Sequence, residues 1–211
     1  MTPPPPTGSV AGTGATVELL ERSLAYTCGT LATVTTDALA RPTPCAGWLL
    51  GDLLVHMEDS LDAFTEAAAG SVHPLPRRPT VPGDLLGAVR SKATALLGAW
   101  ALHDASAITG YDAAPVHLGA HTLPPALVAG LAALEIGVHG WDVGRATGLG
   151  GVLPPALATD LEPWAHALVV EDLQSPVRGV GAPRRFAPPI DAAATGDPAT
   201  RLLGLVGRRV G

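Results

Sequence analysis

Lysine is almost missing from this 211-residue chain: Lys92 is the only one, and the other basic side chains are arginines. Basic excess is missing as well, since the formal net charge is −6. A nucleic-acid binder needs a positive patch to displace counterions from phosphates, so that class is disfavoured. The local basic pairs Arg77-Arg78, Arg184-Arg185 and Arg208-Arg209 lie among Pro or Gly and read as solvated loop charge. Cysteine is limited to Cys28 and Cys45, too few for a disulfide framework. In a reducing compartment both are expected to be buried small residues. No apolar run approaches bilayer-spanning length, so no membrane partner is expected. Met1 to Gly14 lacks a charged start and an apolar stretch, so a secretory signal is not expected and a cytoplasmic location is. Aromatic residues make up only 4% and charged residues 15%.

Apolar residues fill the gap at 47%, mostly Ala, Leu and Val. Such small aliphatic side chains suit closely packed helices. Residues 1–14 (MTPPPPTGSVAGTG) read as a disordered Pro/Gly tail, and 15–211 as one domain. The apolar period predicts a helix over about Thr16–Leu39, ended by Arg41-Pro42-Thr43-Pro44. A second runs over about Leu49–Ala69, with Leu50, Leu53, Leu54, Met57, Leu61 and Phe64 as its stripe. A third covers about Asp84–Leu102, and a short extended segment is expected within Val116–Leu123. A fourth spans Pro124–Thr147, with Gly148 as its cap. Shorter helices follow over Pro154–Glu171 and Pro198–Val206. No strong period of two occurs, so the fold class is all-α, a helix bundle.

On the fourth helix, Leu127, Leu131, Leu134 and Val138 define an inward face, and Glu135 and His139 sit beside it. Four residues apart, the two side chains project to the same side. A carboxylate turned toward a core is costly unless it is paired or holds a metal. E-x-x-x-H alone is a weak signal, more often a surface pair or a hydrogen-bonded core histidine. His56 lies beside the stripe of the second helix, and alone it too reads as a satisfied core histidine. Together, two imidazoles and a carboxylate suit zinc, and also nickel or iron(II). Three protein ligands would leave one position open, the catalytic rather than the structural pattern.

The segment Arg41-Pro42-Thr43-Pro44-Cys45-Ala46-Gly47-Trp48, followed by Asp52-Leu53-Leu54-Val55-His56, resembles the first signature of the mycothiol-dependent maleylpyruvate isomerase N-terminal-domain family. Glu135-Ile136-Gly137-Val138-His139-Gly140-Trp141-Asp142 resembles its second. Arg185 to Pro189 and Arg201 to Arg208 resemble the ending of its short, single-domain members. The resemblance covers nearly the whole chain after residue 15. It implies a DinB-like four-helix bundle, up-down-down-up, with one or two extra short C-terminal helices. It also implies metal ligation by His56, Glu135 and His139. The Lys-poor, Ala/Gly/Pro/Arg-rich composition resembles that of actinobacteria and other high-GC bacteria. Two departures stand out. The isomerase's second domain is not expected in a chain of this length, and Leu49 replaces the usual polar cap, so the second helix is expected either to start elsewhere or to lean on Asp52.

Further candidates each stand beside a plainer reading. Asp142 could orient a ligating histidine, or be an exposed polar residue near a helix end. Arg145 could bind a substrate carboxylate, or answer the helix macrodipole. Trp48 and Trp141 could line a pocket, or anchor helix ends. Cys45 could be a nucleophile, with packing the default. His103, His117, His121 and His166 match no ligand pattern, although His117 and His121 could reach a site mouth. The expected function is a metal-dependent thiol enzyme joining a low-molecular-weight thiol, such as mycothiol, to an electrophilic small molecule by S-transfer or isomerisation. A non-catalytic metal-binding protein and a metal enzyme that uses no thiol are the alternatives. A homodimer is compatible with the chain.

Overall fold

The computed structural model describes residues 13–72, 84–108, 115–119, 121–149, 151–174, 186–190 and 196–210. The expected N-terminal tail lies outside the described residues up to residue 12, and Thr13 and Gly14 already belong to a helix. The pairs Arg77-Arg78 and Arg184-Arg185 also fall outside them.

The described chain is mostly helical. Helix α1 (Thr13–Leu31) buries Leu20, Leu24 and Leu31, together with Ser23, Thr27 and Thr30. It stops eight residues before the expected end. The β-branched run Thr33 to Thr36 followed by Asp37 tightens the backbone, with Thr33 N–H donating to Thr30 and Val34 N–H to Leu31. A 3₁₀ turn then covers Thr36–Ala40. The Arg41–Trp48 loop folds back through Thr43 N–H to Trp48 O and Leu50 N–H to Arg41 O. Gly47, at φ 81°, supplies the left-handed residue of that loop.

Helix α2 (Leu50–Ala68) starts where Asp52 Oδ2 accepts the Leu49 N–H at 3.0 Å, so Asp52 takes over from the missing polar cap. Helix α3 (Leu85–Ile108) runs beyond its expected end at Leu102. Strand β1 (Ser71–Val72) pairs in parallel with β2 (Val116–Leu118), which pairs antiparallel with β3 (His121–Leu123). This small sheet adds to the all-helical expectation. Helix α4 (Pro125–Thr147) ends at Gly148 (φ 69°), as the sequence predicts. Helix α5 (Pro155–Gln174) is as long as α1 rather than short, and α6 (Pro198–Leu205) is capped by Asp197.

Side-chain contacts fix the helix directions. Ser23 meets Gly137, Thr27 meets Gly140 and Thr33 meets Thr147, so α1 runs parallel to α4. Lys92 reaches Glu58 and Asp62, and His103 reaches the Ala68 carbonyl, so α3 runs parallel to α2. Arg90 on the Leu31 carbonyl and Asp104 beside Gly14 make α1 and α3 antiparallel. Helices α1, α2 and α5 all pack on α4. The expectation of one inward face on α4 therefore gives way to a helix buried on nearly every side.

Helix α4 also corrects the membrane reading. By length and composition it could cross a bilayer, but 89% of its most apolar stretch is buried inside the molecule. A core helix surrounded by neighbours has the same composition for the same reason, exclusion from water.

Candidate metal centre

The structure brings His56, Glu135 and His139 together. Their ligand atoms all lie within 4.8 Å of one another. His56 comes from the middle of α2, where Leu53 and Met57 anchor the helix in the core beside it. Glu135 and His139 come from one side of α4, as the four-residue spacing predicts. His56 Nε2 lies 2.7 Å from Glu135 Oε1, and His139 Nε2 lies 3.2 Å from the same oxygen. Ser60 Oγ, one turn along α2, donates to that oxygen at 3.4 Å. The side chain of His56 is 33% exposed and that of His139 only 2%, so the cluster faces solvent on its α2 side.

Behind His139 stands a second layer. Its Nδ1 lies 2.9 Å from Asp142 Oδ2, and Asp142 is fully buried. Arg208 grips both oxygens of that carboxylate, Nε to Oδ1 and Nη2 to Oδ2, each at 2.9 Å. The Cys45 thiol donates to Asp142 Oδ2 at 3.2 Å and accepts from Arg208 Nη2 at 3.2 Å. Burial opposes charge on Asp142, but the bonds from His139 and Arg208 outweigh it and hold the carboxyl below its usual range. An ionised Asp142 makes His139 Nδ1 the donor.

The proton bookkeeping then falls on the other ring nitrogen. With Nδ1–H committed to Asp142, a neutral His139 presents the Nε2 lone pair toward the Glu135 carboxylate. Among the described residues, that buried Nε2 makes no well-aligned hydrogen bond, although Glu135 Oε1 stands 3.2 Å away. A lone pair facing a carboxylate needs a cation between or beside them, a proton or a metal. Burial would disfavour charge on both groups, yet Glu135 is held well below the usual carboxylate range by His139 and His56. Likewise, burial would lower His139, but Glu135 and then Asp142 lift it well above its ordinary value. The donor set and the orphaned nitrogen fit a divalent ion held by His56, Glu135 and His139. Cys45, His139 and Asp142 form a second cluster of metal-type donors. There, however, the Arg208 guanidinium already supplies the cation.

The remaining predicted residues scatter. Trp48 is 37% exposed and stands edge-on to His56 at 4.9 Å between ring centroids, at the rim of the cluster. Trp141 is buried, and the exposed Arg145 lies over its ring at 5.7 Å. His117 and His121 are exposed on β2 and β3. Cys28 is exposed, against expectation, because it sits on α1 away from the Thr27/Thr30 side that packs inward. Arg208 is the largest correction. It is only 4% exposed, because the Asp142 carboxylate can be buried as an ion only with a partner. Sequence reasoning also missed Phe186, whose ring lies 5.6 Å from that of His139 and 5.5 Å from the Arg208 guanidinium. The only signal for either was their place in the C-terminal stretch that resembles the short relatives.

The family model described as "Mycothiol maleylpyruvate isomerase N-terminal domain" matches residues 20–144. Two uncharacterized proteins of Mycobacterium tuberculosis, from strains CDC 1551 / Oshkosh and ATCC 25618 / H37Rv, are each 32% identical to this chain over 180 residues. In both cases the match covers 85% of this chain and 90% of the relative. No solved structure matches.

Proposed function

This chain belongs to the mycothiol maleylpyruvate isomerase N-terminal-domain family, and from that premise we propose that it is a divalent-metal-dependent thiol enzyme. Zinc is the preferred ion, with nickel or iron(II) as other occupants. His56, Glu135 and His139 hold it. When bound, the ion would act as a Lewis acid that lowers the pKa of a low-molecular-weight thiol such as mycothiol, making it a nucleophile either for addition to an electrophilic small molecule or for displacement of a leaving group from one. The helix directions agree with a DinB-like, up-down-down-up four-helix bundle, the arrangement the proposal adopts.

The observation that carries the reading is His139 Nε2, buried and, among the described residues, without a well-aligned hydrogen bond, 3.2 Å from the Glu135 carboxylate. The chain's own residues divide the remaining work. Asp142 holds the Nδ1 proton of His139 and so fixes which nitrogen faces the site. Ser60 restrains the Glu135 carboxylate. The His56 side chain, one third exposed, and the edge of Trp48 would form the open side for a substrate. That open side favours the enzyme over a closed, purely structural metal site. A hydrolytic role is less well supported, since no separate general base stands beside the three ligands among the described residues.

The test is metal content by elemental mass spectrometry, wild type beside His139→Ala, followed by thiol-consumption assays against small electrophiles. About one ion per chain in wild type and far less in the variant is expected. Wild-type protein that stays metal-free after incubation with zinc refutes the proposal. Metal-loaded protein that consumes no thiol with any electrophile leaves the non-catalytic metal-binding reading.

A further inference from the structure

We infer that Arg208 is a positioning residue for the metal centre, so that the segment following α6 completes the site from behind. The inference rests on the metal reading above and goes beyond its three ligands. Arg208 touches none of them. It acts through Asp142, whose two oxygens it holds with a parallel pair of N–H donors at 2.9 Å. Asp142 in turn holds His139 Nδ1 at 2.9 Å. The two bonds to the guanidinium leave the carboxylate one orientation, and the imidazole follows it.

The placement of Arg208 is built by the chain around it. Its third donor, Nη1, binds the Val206 carbonyl at 2.9 Å, and its own N–H reaches the Leu203 carbonyl at 2.7 Å. Gly207 between them sits at φ 73°, and a Cβ there would lie 2.6 Å from Ala187 Cβ and 2.7 Å from the Pro188 carbonyl. A side chain at 207 would therefore push Arg208 away from Asp142. Nη2 also binds Cys45 Sγ, which ties the loop before α2 to the same point. One guanidinium thus links the C-terminal segment, the Cys45 loop and α4 behind the site. A lysine has one charged head and cannot reproduce the fork, so charge alone does not replace it.

The experiment is competitive zinc titration against a chromophoric chelator, with Co²⁺ absorption spectra as a second readout. Wild type, Arg208→Met, Arg208→Lys, Asp142→Asn and the Arg208→Met/Asp142→Asn double variant are compared. Arg208→Met is expected to weaken zinc binding about 10–100-fold and to change the Co²⁺ spectrum at saturation. Arg208→Lys is expected to fall between Arg208→Met and wild type. It decides the matter if Arg208→Met does not fold, since it keeps Asp142 paired. The double variant is expected to bind no more weakly than the weaker single variant, because both changes act on one relay. Wild-type zinc affinity and an unchanged Co²⁺ spectrum in Arg208→Lys and in any folded Arg208→Met overturn the inference and leave the metal site standing. Independent, multiplying losses in the double variant overturn it too. Wild-type protein that binds neither ion overturns both readings.

Discussion

Each nitrogen of His139 faces a carboxylate, Glu135 on one side and Asp142 on the other. Without metal, this places a proton where the ion would sit. The pKa of His139 is raised above its unfolded value, so its contribution to stability is complete below that value and disappears as pH rises through the folded pKa. Glu135 and Asp142 are lowered, so theirs is complete above the usual carboxylate range and disappears as pH falls through their folded values. The metal-free protein is therefore expected to lose stability on the alkaline side as His139 deprotonates. The metal-loaded protein avoids that loss, because the ion replaces the proton. The gain in Tm on adding zinc is expected to grow with pH from about 6 upward. Calorimetric melts across that range check it, and a zinc effect that shrinks with rising pH contradicts the proton–metal exchange.

At the scale of the element, α4 must lie close enough to α1 for its acidic and imidazole side chains to reach α2. Glycines make that approach. A Cβ at Gly140 would run into the Thr27 hydroxyl, which donates to the Ile136 carbonyl, and one at Gly137 would meet Ser23 and Leu161. Gly140→Ala is expected to cost about 1–3 kcal/mol by overpacking. It should also weaken metal binding, since the shift moves His139, its direct neighbour in sequence. Urea unfolding and zinc titration of the variant check both. Unchanged stability would mean that α1 yields freely. The α2 stripe and the α4 cap at Gly148 were legible in the sequence because each rests on local geometry, while the structure chose Asp52 from the two starts left open for α2. The end of α1 was not, since the apolar period continues into Val34 after the backbone has tightened.

Across the whole molecule, the candidate site joins two helices whose contributing residues, His56 and Glu135, lie 79 positions apart. An ion held there stabilises only the folded chain. At free zinc about 100 times the Kd, the gain is about 2.7 kcal/mol. For a chain of this size that corresponds to a Tm rise of about 5–10 °C. A strong chelator is expected to reverse it. A Tm indifferent to zinc and chelator alike would argue that α2 and α4 share no ion.

The sequence by itself determined the helical class, most helix positions and the family, and it picked out His56, Glu135 and His139. The helical class and the helix positions depend on short-range spacing, whereas the family and the three-residue set were legible through the resemblance of two motifs, since E-x-x-x-H by spacing alone is a weak signal. Tertiary structure alone decided that α4 is central, that Asp142 is buried, and that Cys45 belongs to the Asp142–Arg208 layer. It also turned Arg208 from a loop charge into the partner of Asp142, 66 residues away. A buried ion pair leaves no periodic trace in a sequence. Its two members are ordinary charged residues until folding removes the water between them and makes each necessary to the other.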